Sequence, residues 1–358
     1  MAPLSKTAQG KQRLHPRRLD LRAGRIELSH GGGGKASAQL VNELMVAAFD
    51  NAPLARGDDY AALAIGAERL VMSTDSFVVS PLFFPGGDIG ALAVNGTIND
   101  IAMAGARPLY LSCGLILEEG FPLAQLQRIV DSMARAARAT GVAIVTGDTK
   151  VVERGHGDGV FINTTGLGIV PGHVVNPPSS VRAHPGDAVL VSGAIGLHGV
   201  AILAARADLP LEAPVASDSA PLHDLVAAMT AAVPDIHVLR DPTRGGLATA
   251  LNEIAWSAGV GILLDEALIP VPRPVAAACD ILGLDPLYVA NEGRLIAICA
   301  PDQADRLLAV VRSHPQGQDA AIIGAVVEDG NRCVEMKTRF GGRRLVDWLS
   351  GEQLPRIC

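Results

Sequence analysis

The pattern of apolar and polar positions predicts helices and strands along almost the whole chain. Between residues 36 and 49, apolar residues recur at the spacing of an amphipathic helix, at Leu40, Val41, Leu44, Met45 and Ala48. A second helix is predicted over 88–104, because Asp88 is a good N-cap. A third is predicted over 122–140, because Gly141 follows as a helix stop. Short apolar runs predict strands over 70–73, 77–79, 142–145 and 160–170, the first two around a polar turn.

The segment 176–180, which reads Asn-Pro-Pro-Ser-Ser, is the best linker signal in the chain. After it the pattern starts again with a strand over 188–192. Helices over 222–232 and 247–258 follow, with strands near residues 262, 287 and 295–299. This pattern predicts four segments: a basic extension over 1–24, a first domain over 25–178, a second domain over 179–340, and a closing tail over 341–358.

Composition describes a globular chain with large aliphatic cores. The 358 residues are 49% hydrophobic and only 19% charged, and the length alone suggests two domains. The net charge of -7 argues against a nucleic-acid surface. No apolar run approaches the roughly 18 residues of a membrane span. Five cysteines without a zinc-like spacing favour a reducing compartment, so we expect a cytoplasmic protein.

The chain carries a cysteine, Cys358, on its last residue. A terminal residue is rarely part of a core, because chain ends fray and are exposed. A prenylation box would need the cysteine four residues from the end. The sulfur is either used chemically or is an inert thiol on a disordered tail, and we favour the chemical use.

Acidic residues follow several apolar runs, where a side chain can enter a cleft without burying its charge in a core. The candidates are Asp58–Asp59, Asp75, Asn99–Asp100, Asp148 and Asp241. Each alone is a common N-cap or turn residue. If several converge they repel one another, and Mg2+ is the usual remedy because it takes oxygen ligands and bridges phosphates. Convergence is therefore the hypothesis to test.

A glycine run over 31–34 and Lys35 precede the first predicted helix. Its backbone amides and the positive helix end could hold a phosphate. The run lacks the spacing of a Walker motif, so a flexible linker is an equal interpretation.

From Ile26 to Cys358 the chain resembles the HypE family of hydrogenase maturation proteins, in the superfamily of aminoimidazole ribonucleotide synthetase and selenophosphate synthetase. The resemblance is carried by His30 with the glycine run, and by the segments 73–77, 81–87, 146–152, 241–246, 291–294 and 355–358. The terminal segment Pro-Arg-Ile-Cys distinguishes this family from its relatives. The basic residues before Arg25 lie outside the resemblance, and Arg294 stands where a lysine is also usual.

The resemblance implies an α+β fold of two PurM-like domains, with N-terminal domains pairing in a homodimer and a flexible C-terminal tail. It implies ATP-dependent dehydration of an S-carbamoyl group on Cys358 to a thiocyanate, whose cyanide reaches the hydrogenase iron. The carbamoyltransferase HypF would load the thiol, and the HypC–HypD complex would accept the cyanide. No nucleic acid or membrane partner is implied.

The resemblance also assigns roles to residues. Cys358, Glu292 and Lys150 would be catalytic. ATP would be held by Gly32, Gly33, Gly34, Lys35, Asp75, Asn99, Asp100, Asp148 and Thr149. Mg2+ would be held by Asp59, Asp75, Asp100 and Asp241. In competing interpretations Glu292 is a surface turn residue and Lys150 a phosphate clamp.

Two other functions remain open from the sequence. A sister enzyme that phosphorylates a free small molecule would use the same aspartates without needing Cys358. A metallochaperone or scaffold would use the terminal thiol as a docking ligand, although the Cys/His cluster that it needs is not found at sequence level.

Overall fold

The computed structural model describes residues 34–46, 56–65, 68–207, 215–349 and 354–358. The predicted basic extension over 1–24 lies outside these residues. The helix predicted over 36–49 is present in part, as the α-helix Lys35–Leu40 (α1), which continues as a π-helix, Val41–Val46.

The first domain is built on a five-stranded sheet with the strand order β1-β2-β7-β5-β6. Its strands are Ala61–Ile65 (β1), Glu68–Phe77 (β2), Arg107–Glu118 (β5), Ala143–Val152 (β6) and Val160–Ile169 (β7). A small two-stranded sheet, Phe83–Phe84 (β3) and Gly87–Asp88 (β4), leads into the helices. β6 runs parallel to β5, and the other pairs are antiparallel.

Two helices, Ile89–Met103 (α2) and Leu123–Thr140 (α3), belong to this domain. The Asp88 carboxylate caps α2 by accepting hydrogen bonds from the amides of Gly90 and Ala91, as the sequence predicts. Nearly every residue of α2 is buried, because the helix lies between the first sheet and the second domain. Gly141 ends α3 in the left-handed conformation, which confirms the predicted helix stop.

The second domain contains a seven-stranded sheet with the order β14-β13-β10-β12-β8-β11-β9. Its strands are Ala188–Val191 (β8), Val238–Arg240 (β9), Gly261–Asp265 (β10), Ile296–Cys299 (β11), Ala321–Val327 (β12), Val334–Lys337 (β13) and Arg343–Leu345 (β14). Its helices are Leu197–Ala207 (α4), His223–Ala232 (α5), Gly246–Ala258 (α6), Arg273–Leu282 (α7) and Ala304–Ser313 (α8). Separate apolar cores form on the two faces of this sheet.

The two domains share buried contacts along α2. Ala102 and Met103 of α2 pack into the core around α5 and α8. The Asn99 side chain donates to the carbonyls of Ala220 and Glu292, and it accepts from the amide of Leu222. All three bonds link α2 of the first domain to backbone groups of the second domain, so the buried amide is satisfied across the domain boundary.

Three predicted elements differ from the structure. The polar segment 74–76 is not a turn, because β2 continues through it and pairs with β7 as far as Phe77. The region near residue 287 is a 3-10 helix, Pro286–Tyr288, because the Asp285 carboxylate caps it. β14 lies inside the range predicted as tail, since Arg343–Leu345 pairs with β13, so the second domain extends past residue 340.

In the part of the chain that the structure describes, no helix is both long and apolar enough to cross a membrane.

Candidate functional site

The centre of the candidate site is a group of aspartates contributed by both domains. Asp75 lies on β2, Asp100 on α2, Asp59 just before β1 and Asp241 just after β9. Ser73 joins two of these positions, because its hydroxyl donates to the Asp100 carboxylate at 2.6 Å and lies 2.9 Å from the backbone carbonyl of Asp59. Asp59, Asp75, Asp100 and Asp241 thus lie at one site, whereas Asp148, which the sequence also singled out, lies elsewhere on β6.

These carboxylates are close enough to shift one another's pKa values. Burial raises the pKa of Asp100 well above its ordinary value, and Asp241, Asp75 and Asp59 each raise it further. Burial and the charge of Asp59 raise the pKa of Asp241 to about 8. For Asp59, burial raises the pKa to about 6 against the opposing effect of Arg240. Such mutual repulsion is typical of sites that bind a cation or react chemically.

Arg240 is the main protein cation beside this cluster. Its guanidinium lies 3.2 Å from the Asp59 carboxylate and 2.5 Å from that of Glu253. Its pKa is raised by Asp59, Glu253 and Asp241, which outweigh the burial that lowers it. One arginine shared with Glu253 does not neutralise four ionised aspartates, and the raised pKa values of the aspartates reflect this imbalance.

The C-terminus of the chain lies beside this cluster. The backbone of residues 354–358 follows the end of β2, where the amide of Val78 donates to the carbonyl of Cys358 and that of Ser80 to the carbonyl of Arg356. Ile357 is fully buried. Residues 354–358 of the predicted tail are thus docked against the end of β2 in this structure.

Three side chains hold the docked tail. Arg206 on α4 donates to the carbonyls of Pro355 and Arg356 and also to that of Ser80. The buried His198 ring lies 2.7 Å from the Ile357 carbonyl on one side and 2.7 Å from the Ser217 hydroxyl on the other. Arg356 forms an ion pair with Asp158 and donates to the Val78 carbonyl. We call these contacts of Arg206, His198 and Arg356 the tail clamp.

The sulfur of Cys358 lies in the cleft between the aspartates and the second domain. Arg244 donates to this sulfur at 3.1 Å. Burial, with smaller contributions from the charges of Glu292 and Asp75 and against the lowering effect of Arg244, raises the pKa of the Cys358 thiol to about 12. The docked sulfur is therefore a protonated thiol and a poor nucleophile.

Glu292 is buried in the same cleft. Its pKa is raised well above the ordinary value by burial, Asp241, Asp75 and Asp218, and Arg244 lowers it. Its backbone amide donates to the Asp218 carboxylate, while its own Oε1 has no hydrogen-bond partner among the described residues. This excludes the interpretation of Glu292 as a surface turn residue. A buried carboxyl oxygen without a partner is costly, so it is expected to meet a ligand.

Lys150, Asp148 and Thr149 lie away from this cleft. They belong to β6, and Lys150 forms a 2.6 Å ion pair with Asp148, both side chains being about 70% exposed (71% and 69%). Asp148 lies in the same row of the sheet as Ser76, with β5 and β7 between them. At a strand spacing of about 4.8 Å, the backbone of Asp148 is roughly 14 Å from that of Ser76, next to Asp75 on β2. Asp148 and Thr149 instead line a cavity of about 610 Å³ beneath α3, which includes none of the clustered aspartates.

The remaining predicted ATP ligands divide into described and undescribed residues. Gly32 and Gly33 lie outside the described residues. Lys35 donates to the Asp347 carboxylate at 3.0 Å, and Gly34 lies so close to the Leu349 carbonyl that a Cβ would be 2.6 Å from it. Asn99 uses its side chain in contacts between the domains, as described above. The start of α1 thus contacts Asp347 and Leu349, which lie within the predicted tail.

Three residues of the site, Arg244, His198 and Arg206, have no role predicted from the sequence. Arg244 belongs to a segment that carries the family resemblance, and the clustering of glycines after it was an available signal. His198 and Arg206 lie on α4, about 150 residues before the carbonyls that they contact (159 for His198 and Ile357). No local pattern indicates such a pairing.

Comparison with known proteins gives consistent results over the length of the chain. Residues 57–170 match the family described as AIR synthase related protein, N-terminal domain, and residues 184–337 match its C-terminal domain. A relative from Cupriavidus necator, named carbamoyl dehydratase HypE, is 64% identical over 345 residues, covering 96% of this chain and 98% of its own.

Solved structures agree with these matches. A structure of the hydrogenase maturation protein HypE in complex with ATP is 51% identical with a TM-score of 0.78, covering 93% of this chain and all of its own. A structure of a HypE–HypF complex is 46% identical with a TM-score of 0.82, covering 86% of this chain and 99% of its own.

Proposed function

This chain belongs to the HypE family of carbamoyl dehydratases, within the AIR synthase related proteins, and we propose that its own Cys358 carries the carbamoyl group that it dehydrates. The activity is ATP-dependent dehydration in hydrogenase maturation. The product on the sulfur would be a thiocyanate, whose cyanide becomes a ligand of the hydrogenase iron.

The reaction converts an S-carbamoyl group, S–C(=O)NH2, to S–C≡N. The carbonyl oxygen takes the γ-phosphoryl group of ATP while the nitrogen loses a proton, which gives an O-phosphorylated imidate and ADP. The nitrogen then loses its second proton as the C–O bond breaks, and phosphate leaves with the original oxygen. Transfer of this kind depends on positioning and charge neutralisation more than on covalent help from the protein.

The position of the Cys358 sulfur is the observation that carries the proposal. The sulfur lies 3.1 Å from Arg244 and close enough to Glu292 and Asp75 for both charges to shift its pKa. A group attached to this sulfur would therefore sit between a guanidinium and two carboxyl groups. A sister enzyme that acts on a free small molecule has no use for a chain terminus in this place.

Glu292 fits the base that removes protons from the carbamoyl nitrogen. Its high pKa makes its carboxylate a strong base for a carboxyl group, and its unpartnered Oε1 is available for the new N–H. Arg244 would orient the carbamoyl group through the same guanidinium that now contacts the sulfur.

The aspartate cluster is the proposed Mg2+ site. No three of its carboxylates bring oxygens within 4.8 Å of one another among the described residues, so side chains would have to move towards the ion. All of its donors are carboxylate oxygens, and the repulsion that raises their pKa values would be relieved by a dication. Asp59, Asp75, Asp100 and Asp241 would hold the ion, which would neutralise the charge of the ATP phosphates. The glycine run and Lys35 would cover the nucleotide, and Lys35 must then leave Asp347.

The single experiment that tests this function is intact mass spectrometry of the protein after incubation with a HypF-type carbamoyltransferase, its substrates and ATP. We expect the mass to rise by one carbamoyl group and then to fall by one water, with both changes on the C-terminal peptide. Carbamoylation of a different residue would refute the proposal.

Loading and unloading of the thiol require partners. A structure of a related HypE in complex with HypF makes a HypF-type protein the expected carbamoyl donor. A HypC–HypD complex is the expected acceptor of the cyanide. Both need the sulfur outside the cleft, because the docked thiol is only partly exposed and its pKa is raised to about 12. The tail clamp therefore has to open in each cycle.

We expect that Arg206→Gln opens the tail clamp more often. The change removes hydrogen bonds from a guanidinium to three carbonyls. A hydrogen bond to a charged donor contributes about 1.5–3 kcal/mol, and the partial exposure of Arg206 reduces this contribution. Because the undocked tail exposes the thiol, we expect alkylation of Cys358 by iodoacetamide to become roughly tenfold faster. The measurement is mass spectrometry of the C-terminal peptide over time.

Arg273→Gln on α7 removes the same charge away from the tail and serves as the matched control for this experiment. Equal alkylation rates for Arg206→Gln and the control would contradict the role of the clamp.

A homodimer would explain the exposed face of the first sheet and the position of Lys150. Met72, Leu167 and Tyr110 lie in register across three adjacent strands, and each is exposed by 41% or more. Exposed apolar residues in a row on a sheet are typical of an interface. A second copy packed on this face would bring the β6 residues of one subunit, Lys150 among them, towards the cleft of the other.

A further inference from the structure

Three side chains of the second domain converge at a place that the proposed reaction does not use. The Nδ1 atom of His237 lies 2.8 Å from Oδ2 of Asp187, and the Nδ1 atom of His184 lies 3.9 Å from the same oxygen. One ligand atom from each residue falls within 4.8 Å of the other two. Among the described residues this is the one group of three or more His, Cys, Asp and Glu side chains with that spacing.

These separations match the coordination shell of a small divalent cation. Zinc binds imidazole nitrogen and carboxylate oxygen at about 2.0–2.2 Å in a tetrahedral arrangement, which places neighbouring ligand atoms roughly 3.3 Å apart. The observed separations of 2.8 and 3.9 Å lie on either side of this value. An ion at this place would replace the hydrogen bond between His237 and Asp187 and draw the His184 ring closer.

The backbone holds the three residues in place. His184 and Asp187 belong to one turn, in which the amide of Asp187 donates to the His184 carbonyl and the amide of His184 donates to the Asp187 carboxylate. His237 comes from the segment before β9, where its own amide donates to the Ile298 carbonyl. A site whose ligands are fixed before binding loses little entropy when the ion arrives.

The charges around the cluster favour a cation. The side chain of Asp187 is only 5% exposed, and its ion pairs within the described chain are with the two imidazoles. The neighbouring Asp235 adds a second carboxylate near His237, although Arg182 pairs with it at 2.5 Å. A dication would supply counter-charge to this nearly buried carboxylate beside the two imidazoles.

The ligand types and the exposure indicate which cation would bind. Two imidazoles and one carboxylate suit zinc and similar transition metals, whereas Mg2+ prefers oxygen ligands. The side chain of His184 is 65% exposed, so solvent can reach the cluster and a water can complete the tetrahedron.

We propose that His184, Asp187 and His237 form a binding site for Zn2+ or a similar transition-metal ion in the second domain. The ion would join the turn that follows the interdomain linker to the start of β9. This site is separate from the aspartate cluster, so it goes beyond the proposed dehydration and does not depend on it.

The test uses full-length protein freed of metal by EDTA and titrated with ZnCl2 in a calorimeter. His184→Gln and His237→Gln each remove one metal ligand, and glutamine keeps a hydrogen-bond donor for Asp187. We expect one zinc per chain at this site, with affinity at least 100-fold lower in each variant. His156→Gln, which changes an exposed histidine in a loop of the first domain, is the matched control and should bind zinc like the parent protein.

Co2+ provides a second readout, because a tetrahedral nitrogen and oxygen site gives visible ligand-field bands without the thiolate charge-transfer bands of a cysteine site. These bands should disappear in both variants. Zinc should also raise the Tm of the parent and control proteins but not of the variants. Unchanged zinc affinity in His184→Gln and His237→Gln, or no zinc binding by the parent protein, would overturn the proposal and would show that Asp187 only organises the turn.

Discussion

Cys358→Ala abolishes thiocyanate formation and leaves ATP binding intact: this is the largest effect that we expect from a single substitution. Alanine removes the sulfur that would carry the carbamoyl group, so no substrate for dehydration can form on the chain. The docked tail should survive the change, because its contacts use the backbone carbonyls of residues 355–358 and the side chains of Arg206 and His198. The measurements are intact mass after loading and nucleotide affinity by calorimetry.

Cys333→Ala is the matched control for this experiment, since Cys333 is also a free and partly exposed cysteine but lies before β13. It should load and dehydrate like the parent protein. If Cys358→Ala lost ATP binding to the same degree as dehydration, the sulfur would belong to the nucleotide site. The proposal that the tail carries the carbamoyl group while other residues bind ATP would then be wrong.

Glu292→Gln should slow dehydration by about 10²–10⁴-fold while ATP still binds, because the range is that expected for loss of a general base. The amide keeps the size of the side chain and cannot accept a proton from nitrogen. We therefore expect the carbamoylated protein to accumulate, as measured by intact mass against time. Glu335→Gln changes an exposed glutamate on β13 that pairs with Arg343, and it should leave the rate unchanged.

The pH dependence gives this prediction a second readout. A base acts in its deprotonated form, and the pKa of Glu292 is raised by burial and by three neighbouring aspartates. The rate of dehydration should therefore rise with pH through this raised pKa, and the rise should be absent from the residual activity of Glu292→Gln. A near-normal rate, or the same pH profile in the variant, would remove Glu292 as the base.

The parts of the fold that depend on local chemistry could be predicted from the sequence. Asp88 was recognised as a cap and Gly141 as a stop, because each acts on backbone groups a few residues away. The strand through 74–76 was missed, since its polar side chains resemble a turn. What makes it a strand is the pairing with β7, which lies far along the chain (Thr74 and Thr165 are 91 residues apart).

The candidate site could be predicted from the sequence for a different reason. Aspartates after apolar runs indicated a cleft, and the structure brings Asp59, Asp75, Asp100 and Asp241 close enough to shift one another's pKa. Neither the tail clamp nor the exposed position of Lys150 could be read from the chain. Both depend on how the domains and the terminus are arranged, and no local pattern records that arrangement.

The docked C-terminus also determines how this protein would respond to inhibitors. A compound designed for the space around Glu292 and Arg244 would compete with a peptide of the same molecule that is always present, at an effective concentration on the order of millimolar. Dilution would not weaken this competitor. Compounds that fill the cleft only after the clamp has released the terminus would avoid the competition, so screening against the carbamoyl-loading step should find ligands that screening of the resting protein misses.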